Sequence, residues 1–126
     1  MKRKKLFRIQ SRNRHDQSVH LLANNPNLID ITNVTSELSI PFYGANKQLL
    51  GEADLIYKNA QGIYVVEYKC HDSLASRQKA EEQLIRARYG LNRNYGYNIE
   101  KLLYVHEQFI AEELTNGGFV AWYGNH

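Results

Sequence analysis

The chain has 126 residues, 43% hydrophobic and 23% charged, with a formal net charge of +3, which suits one domain around one core and is too short for two. Its single cysteine, Cys70, excludes an internal disulfide, a Cys-x-x-Cys zinc site and a cysteine-ligated iron–sulfur cluster. No apolar run approaches the ~20 residues that cross a bilayer, and the opening MKRKKLFRIQSRNR is basic without the apolar core of a secretory signal, so a cytoplasmic protein with no membrane partner is expected.

Residues 1–10 read as a basic N-terminal arm and 11–126 as a single domain. Seven of the 16 Lys and Arg, Lys2, Arg3, Lys4 and Lys5 among them, lie in the first 14 residues, which hold no acid; the remaining 112 carry nine basic and 13 acidic side chains. A basic arm attracts polyanions, because each phosphate contact adds a salt-dependent increment to affinity. A solvated, frayed terminus is the alternative reading of the same composition.

The spacing of Val19, Leu22 and Ala23 predicts a helix from about Ser11 to Asn24, closed by the NNPN breaker. LIDITNVTSELSI reads as a first strand and Pro41 to Ala45 as a turn or loop. Leu49 to Lys58 and Ile63 to Cys70 read as two strands of a hairpin closed by NAQG. SLASRQKAEEQLIRARYGLN reads as a helix capped by Asp72 or Ser73, with a Glu82–Arg86 pair on its surface and Leu84, Ala87 and Leu91 as its apolar stripe. KLLYVHE then reads as a strand, EQFIAEELTNGG as a short helix stopped by glycine, and FVAWYG as a last strand. The expected fold class is α/β: a mixed central sheet with an α-β-β-β-α-β core flanked by helices, plus a C-terminal helix and strand.

The hairpin places Asp54, Glu67 and Lys69 in runs that otherwise read as buried strand, where charges are costly unless paired or used. Alternation puts Glu67 and Lys69 on one face with Val65, and Glu52 and Asp54 on one face with Ile56. A turn symmetrical about Ala60–Gln61 sets Asp54 opposite Glu67 and Glu52 opposite Lys69, with Cβ atoms about 5 Å apart. Two carboxylates so close repel and raise each other's pKa unless a cation lies between them. Mg²⁺ suits such a site, because it takes oxygen ligands and keeps several waters. It can lower the pKa of a bound water and polarise a phosphate, while a nearby lysine orients that water or offsets charge on phosphorus. An ordinary surface ion pair of Glu67 and Lys69, worth ~0–1 kcal/mol, is the plain alternative.

Asp54 in EADLIY, followed by Glu67-Tyr68-Lys69 on the next strand of the hairpin, resembles the signature of the PD-(D/E)XK nuclease superfamily. The 13-residue step from Asp54 to Glu67 and the small size are similar to archaeal Holliday-junction resolvases. The resemblance spans about Ser11 to His106 and implies a restriction-endonuclease-like fold. It implies metal ligation by Asp54, Glu67 and the backbone carbonyl of Tyr68, and a catalytic role for Lys69. Gln83 looks like the glutamine that many members carry on the following helix. From the residues themselves, Lys79, Gln83 and Arg86 fall on one polar helix face that could contact a phosphate backbone, or simply be solvated.

Three departures from the family pattern stand out. Ala53 replaces the nominal proline, and a single cysteine excludes the iron–sulfur branch. No Glu precedes Glu37 to serve as a first-helix ligand; Asp16, Gln17 or His20 could stand in, or Glu52 could be used. His15 and His20, five apart, read as surface residues. His71 and Asp72 lie close enough after Lys69 to touch substrate, though a helix-capping turn explains Asp72 equally. Cys70 reads as a packing residue and His106 as structural.

The expectation is thus a Mg²⁺-dependent phosphodiester hydrolase, with Mn²⁺ as a substitute: a DNA endonuclease that is structure-selective or resolvase-like. RNA is the other candidate polyanion. Two rival classes remain: a non-catalytic nucleic-acid-binding domain that keeps the fold, and an interaction module in which Glu67 and Lys69 merely pair. A two-fold dimer would let two sites cut two strands, as the resolvase resemblance implies.

Overall fold

The run IYVVEY, residues 63–68, has no polar/apolar alternation, which suits a strand covered on both faces, and all six residues are buried. The computed structural model of the protein describes residues 2–125, with side chains for 13–125. It contains helix α1 (Lys2–Asn24), a 3₁₀ turn (Pro26–Ile29), β1 (Thr35–Tyr43), β2 (Leu49–Asn59), β3 (Gly62–Lys69), helix α2 (Leu74–Tyr95), β4 (Ile99–His106), β5 (Ile110–Thr115) and β6 (Gly118–Ala121). The architecture is α/β, with the six strands in one mixed sheet in chain order. All neighbours are antiparallel except β3 and β4. That parallel pair requires a crossover, which α2 supplies.

The sheet has a core on each face. Ile56, Val65, Leu102 and Tyr104 meet the buried stripe Ala80, Leu84, Ala87 and Leu91 of α2. On the opposite face Leu55, Tyr57, Val66, Tyr68 and Leu103 meet Val19 and Leu22 of α1, and the Tyr57 hydroxyl donates to the Leu22 carbonyl. Ser73 caps α2 by accepting from the Ser76 N–H at 3.0 Å, and Gly96 ends it at φ 68, a left-handed conformation that glycine adopts without steric cost. Asp72 therefore does not cap this helix. The Glu82–Arg86 pair is also absent among the described residues; both side chains are exposed, where such a pair gains little.

Three element boundaries differ from expectation. The first strand starts at Thr35 rather than Leu28 and runs through Pro41 to Tyr43. Proline is tolerated because β1 is an edge strand and needs no N–H on its outer side. Helix α1 extends N-terminally to Lys2. The expected C-terminal helix over EQFIAEELTNGG is instead strand β5, hairpinned to β6. Ile110 and Leu114 imitate helical spacing, but Asn116-Gly117 closes a two-residue turn between Thr115 and Gly118, the chemistry of a tight hairpin rather than of a helix stop. Among the described residues no helix is long and apolar enough to cross a membrane.

Candidate active site

The β2–β3 register is the one that a turn symmetrical about Ala60–Gln61 dictates: Asn59 pairs Gly62 and Leu55 pairs Val66. There the ladder ends. β2 continues beside β1 alone, with Ala53 opposite Ile40 and Glu52 opposite Pro41, so neither Asp54 with Glu67 nor Glu52 with Lys69 forms the ladder pair that the extended hairpin would require. Asp54 stands at this opening. Its Oδ2 accepts the Tyr68 backbone N–H at 3.0 Å, replacing the ladder bond that β2 no longer provides.

Alternation along β2 resets at this point. Ala53 and Ile56, three residues apart, join the core under α2, whereas Leu55 faces α1. The expected common face of Glu52, Asp54 and Ile56 is therefore broken, and Glu52 is exposed. Opposite the break, Ser39 on β1 takes φ 54, a left-handed conformation that a non-glycine residue holds only when its surroundings impose it.

Glu67 follows on β3, in register with Tyr104 of β4, and is only 2% exposed. Its Oε1 is buried without a hydrogen-bond partner. Burial pushes its carboxyl well above the usual range, the negative charge of Asp54 adds to this, and Lys69 acts in the opposite sense. Lys69 is half-buried and, by strand alternation, shares the face of Glu67. Gln83 is half-buried on α2, and its Oε1 is likewise buried without a partner. A buried polar oxygen left unsatisfied is unusual, because it carries the full desolvation cost of the group with no bond to offset it.

From α1, His15 Nε2 lies 3.2 Å from Asp54 Oδ2, and its Nδ1 lies 3.3 Å from Asp16. The hydrogen bond to Asp54 raises the imidazole pKa. His15 is thus no free surface residue, contrary to the reading from its spacing to His20. It shares a helical face with Val19 and Leu22, at i, i+4 and i+7, a signal present in the sequence. Asp16, Gln17 and His20 are exposed. Lys79 and Arg86 are exposed on α2, while Lys2, Arg3, Lys4 and Lys5 have side chains outside the described residues.

A second polar cluster borders this region, and residue spacing did not reveal it. Arg77 of α2 donates from both Nη atoms to Glu112 at 2.7 and 2.6 Å and also reaches Asp72 at 3.2 Å. Tyr104 donates its hydroxyl to Asp72 at 2.8 Å, and His106 Nε2 lies 3.0 Å from Glu112. Asp72, His106 and Glu112 bring ligand-type atoms within 4.8 Å of one another. The guanidinium already supplies the compensating cation, and its hydrogen bonds hold the Glu112 carboxyl below its usual range. His106 is buried at its strand end, and its Nδ1 has no hydrogen-bond partner. Cys70 packs on the α1-side core.

No protein-family model matches the chain, and neither does any curated protein.

Proposed function

We propose that the protein is a divalent-metal-dependent nuclease of the PD-(D/E)XK type with a restriction-endonuclease-like fold, cleaving DNA phosphodiesters at Asp54, Glu67 and Lys69. The observation that carries this reading is the orphaned, buried Glu67 oxygen beside Asp54 at the opening of the β2–β3 ladder. A buried carboxylate next to a second one is tolerated when a hard cation shares them. Among the described residues both hydrogen-bond partners of Asp54 use Oδ2, which leaves Oδ1 for such an ion. In a strand, the N–H and C=O of one residue point toward the same neighbour, so the Tyr68 carbonyl faces the gap into which its N–H points. These donors, all oxygens, fit Mg²⁺ or Mn²⁺.

Asp54, Glu67 and the Tyr68 carbonyl would hold the ion, which would supply a bound water of lowered pKa and polarise a phosphoryl oxygen. Lys69 supplies a cation for the charge that develops on phosphorus. Gln83 Oε1, buried without a partner, can accept from a water, and the exposed Lys79 and Arg86 hold the backbone alongside.

The test is a panel of junction, flap, duplex and single-stranded substrates incubated with Mg²⁺ or Mn²⁺. Cleavage is expected to vanish with chelator and in Glu67→Ala and Lys69→Ala, with circular dichroism unchanged. Cleavage that survives both substitutions removes the site. A second reading, a nucleic-acid-binding domain that keeps the fold without turnover, is favoured by one observation: the α1 group that meets Asp54 is an imidazole and not a carboxylate. Binding without metal-dependent cleavage selects it.

A further inference from the structure

The face of α2 that carries Lys79, Gln83 and Arg86 does not stop at Arg86. Gly90 and Arg93 continue it at the same helical spacing. Lys79, Arg86 and Arg93 are exposed, and among the described residues none forms an ion pair. At Gly90 a Cβ would stand 2.3 Å from the Phe42 ring, so the chain is bare there and β1 approaches closely. Beyond it lies a groove of about 300 Å³ between α2 and the β1–β2 turn. Tyr43, Leu50, Ile85 and Tyr89 form its apolar walls, and Arg86 and Arg93 its charged ones. Tyr89 is 72% exposed.

An exposed aromatic wall beside unpaired guanidinium groups matches how single strands are held: phosphates on the cations, bases stacked on the rings. A duplex has no free base face to offer such a groove. A second copy of the chain fits less well, because a two-fold contact through this patch sets Arg86 and Arg93 against their own equivalents. We infer that the groove takes an unpaired nucleotide, its base stacked on Tyr89, from a strand whose phosphates follow the Lys79–Arg86–Arg93 stripe toward the carboxylates. The inference rests on the proposed nuclease reading for the identity of the polyanion and adds that the substrate carries a single-stranded element.

Fluorescence anisotropy in EDTA, where no cleavage occurs, tests it with labelled single-stranded DNA, single-stranded RNA and duplex DNA. Tyr89→Ala is expected to weaken single-strand binding about tenfold, the loss of one stacked base, and to leave duplex binding unchanged. Arg93→Ala is expected to lower the slope of log affinity against log salt by about 0.7 for the single strand. The ratio of DNA to RNA affinity tells which sugar the groove accepts. The inference is overturned if the wild type binds no single strand or if Tyr89→Ala binds as tightly as wild type. It is also overturned if the wild type sediments as a dimer that Tyr89→Ala dissociates. Because chelated protein is used, this outcome is independent of the cleavage assay: the groove can fail while Glu67 proves catalytic, and the reverse.

Discussion

Glu67 is the residue on which stability and the proposed function pull in opposite directions. Its folded-state pKa is raised, first by burial and then by Asp54, so the folded chain binds a proton that the unfolded chain releases. Its stabilising contribution is therefore complete below the unfolded carboxylate pKa of about 4.3 and is lost as pH rises through the folded value. Glu67→Gln keeps the shape and removes the ionisation. Without divalent ions, calorimetry near pH 8 is expected to show a Tm a few degrees above wild type, the two converging below about pH 4. A variant no more stable than wild type near pH 8 contradicts the uncompensated burial. The identity of this residue was legible from Glu-x-Lys in an apolar strand. His15 was legible too, on the stripe with Val19 and Leu22, but a distance of five from His20 drew attention to the wrong pairing. Which carboxylate it meets depends on how α1 lies across the sheet, and no local spacing encodes that.

Among the elements, the α2 N-terminus is fastened to the β4–β5 side of the sheet through Arg77. Its two bonds to Glu112 lie partly out of solvent, and its guanidinium stacks over the Tyr104 and Phe119 rings. Arg77→Ala is expected to cost roughly 2 kcal/mol in urea unfolding, the scale of hydrogen bonds to charged groups. The Glu112 pKa is depressed in the folded state; its contribution is thus present above the unfolded value and lost as pH falls through the folded one. Arg77→Ala should therefore also flatten the fall in stability on the acid side. Unchanged stability together with an unchanged acid limb would rule out this role. Helix α2 itself was plain in the sequence, because its cap and apolar stripe agree, although it runs on to Tyr95 before Gly96 ends it. The expected Glu82–Arg86 pair did not form, and β5 was misread, since six residues with Ile110 and Leu114 four apart satisfy either period. Only the sheet edge offered by β4, together with the Asn116-Gly117 turn, decides for a strand.

At the scale of the molecule, the candidate site lies at the C-terminal end of β3 beside parallel β4, the end of parallel strands where ligands of α/β sheets gather. A metal bound there stabilises the folded chain by mass action. Mn²⁺ is expected to raise the wild-type Tm in a concentration-dependent manner, and Glu67→Ala to abolish the rise. A shift that persists in the variant would relocate the ion, with Asp72, His106 and Glu112 as the place to look next.

What the sequence by itself determined is short-range: the hairpin register, the faces of β3, the course of α2 and the residue types of the candidate site. Each follows from a period or a turn confined to neighbouring residues. The tertiary structure decided that the ladder opens after Leu55, that Ser39 and Asp54 mark a reset of alternation, and that His15 closes on the carboxylate. The reason is that β2 has two neighbours whose demands differ. β1 pairs with it on both sides of Asp54, while β3 releases it where Tyr68 finds a side-chain acceptor in place of a backbone one. Asp54, Glu67 and Lys69 are thus set by local pattern, but the gap between two of their strands arises from competition for hydrogen bonds across the sheet.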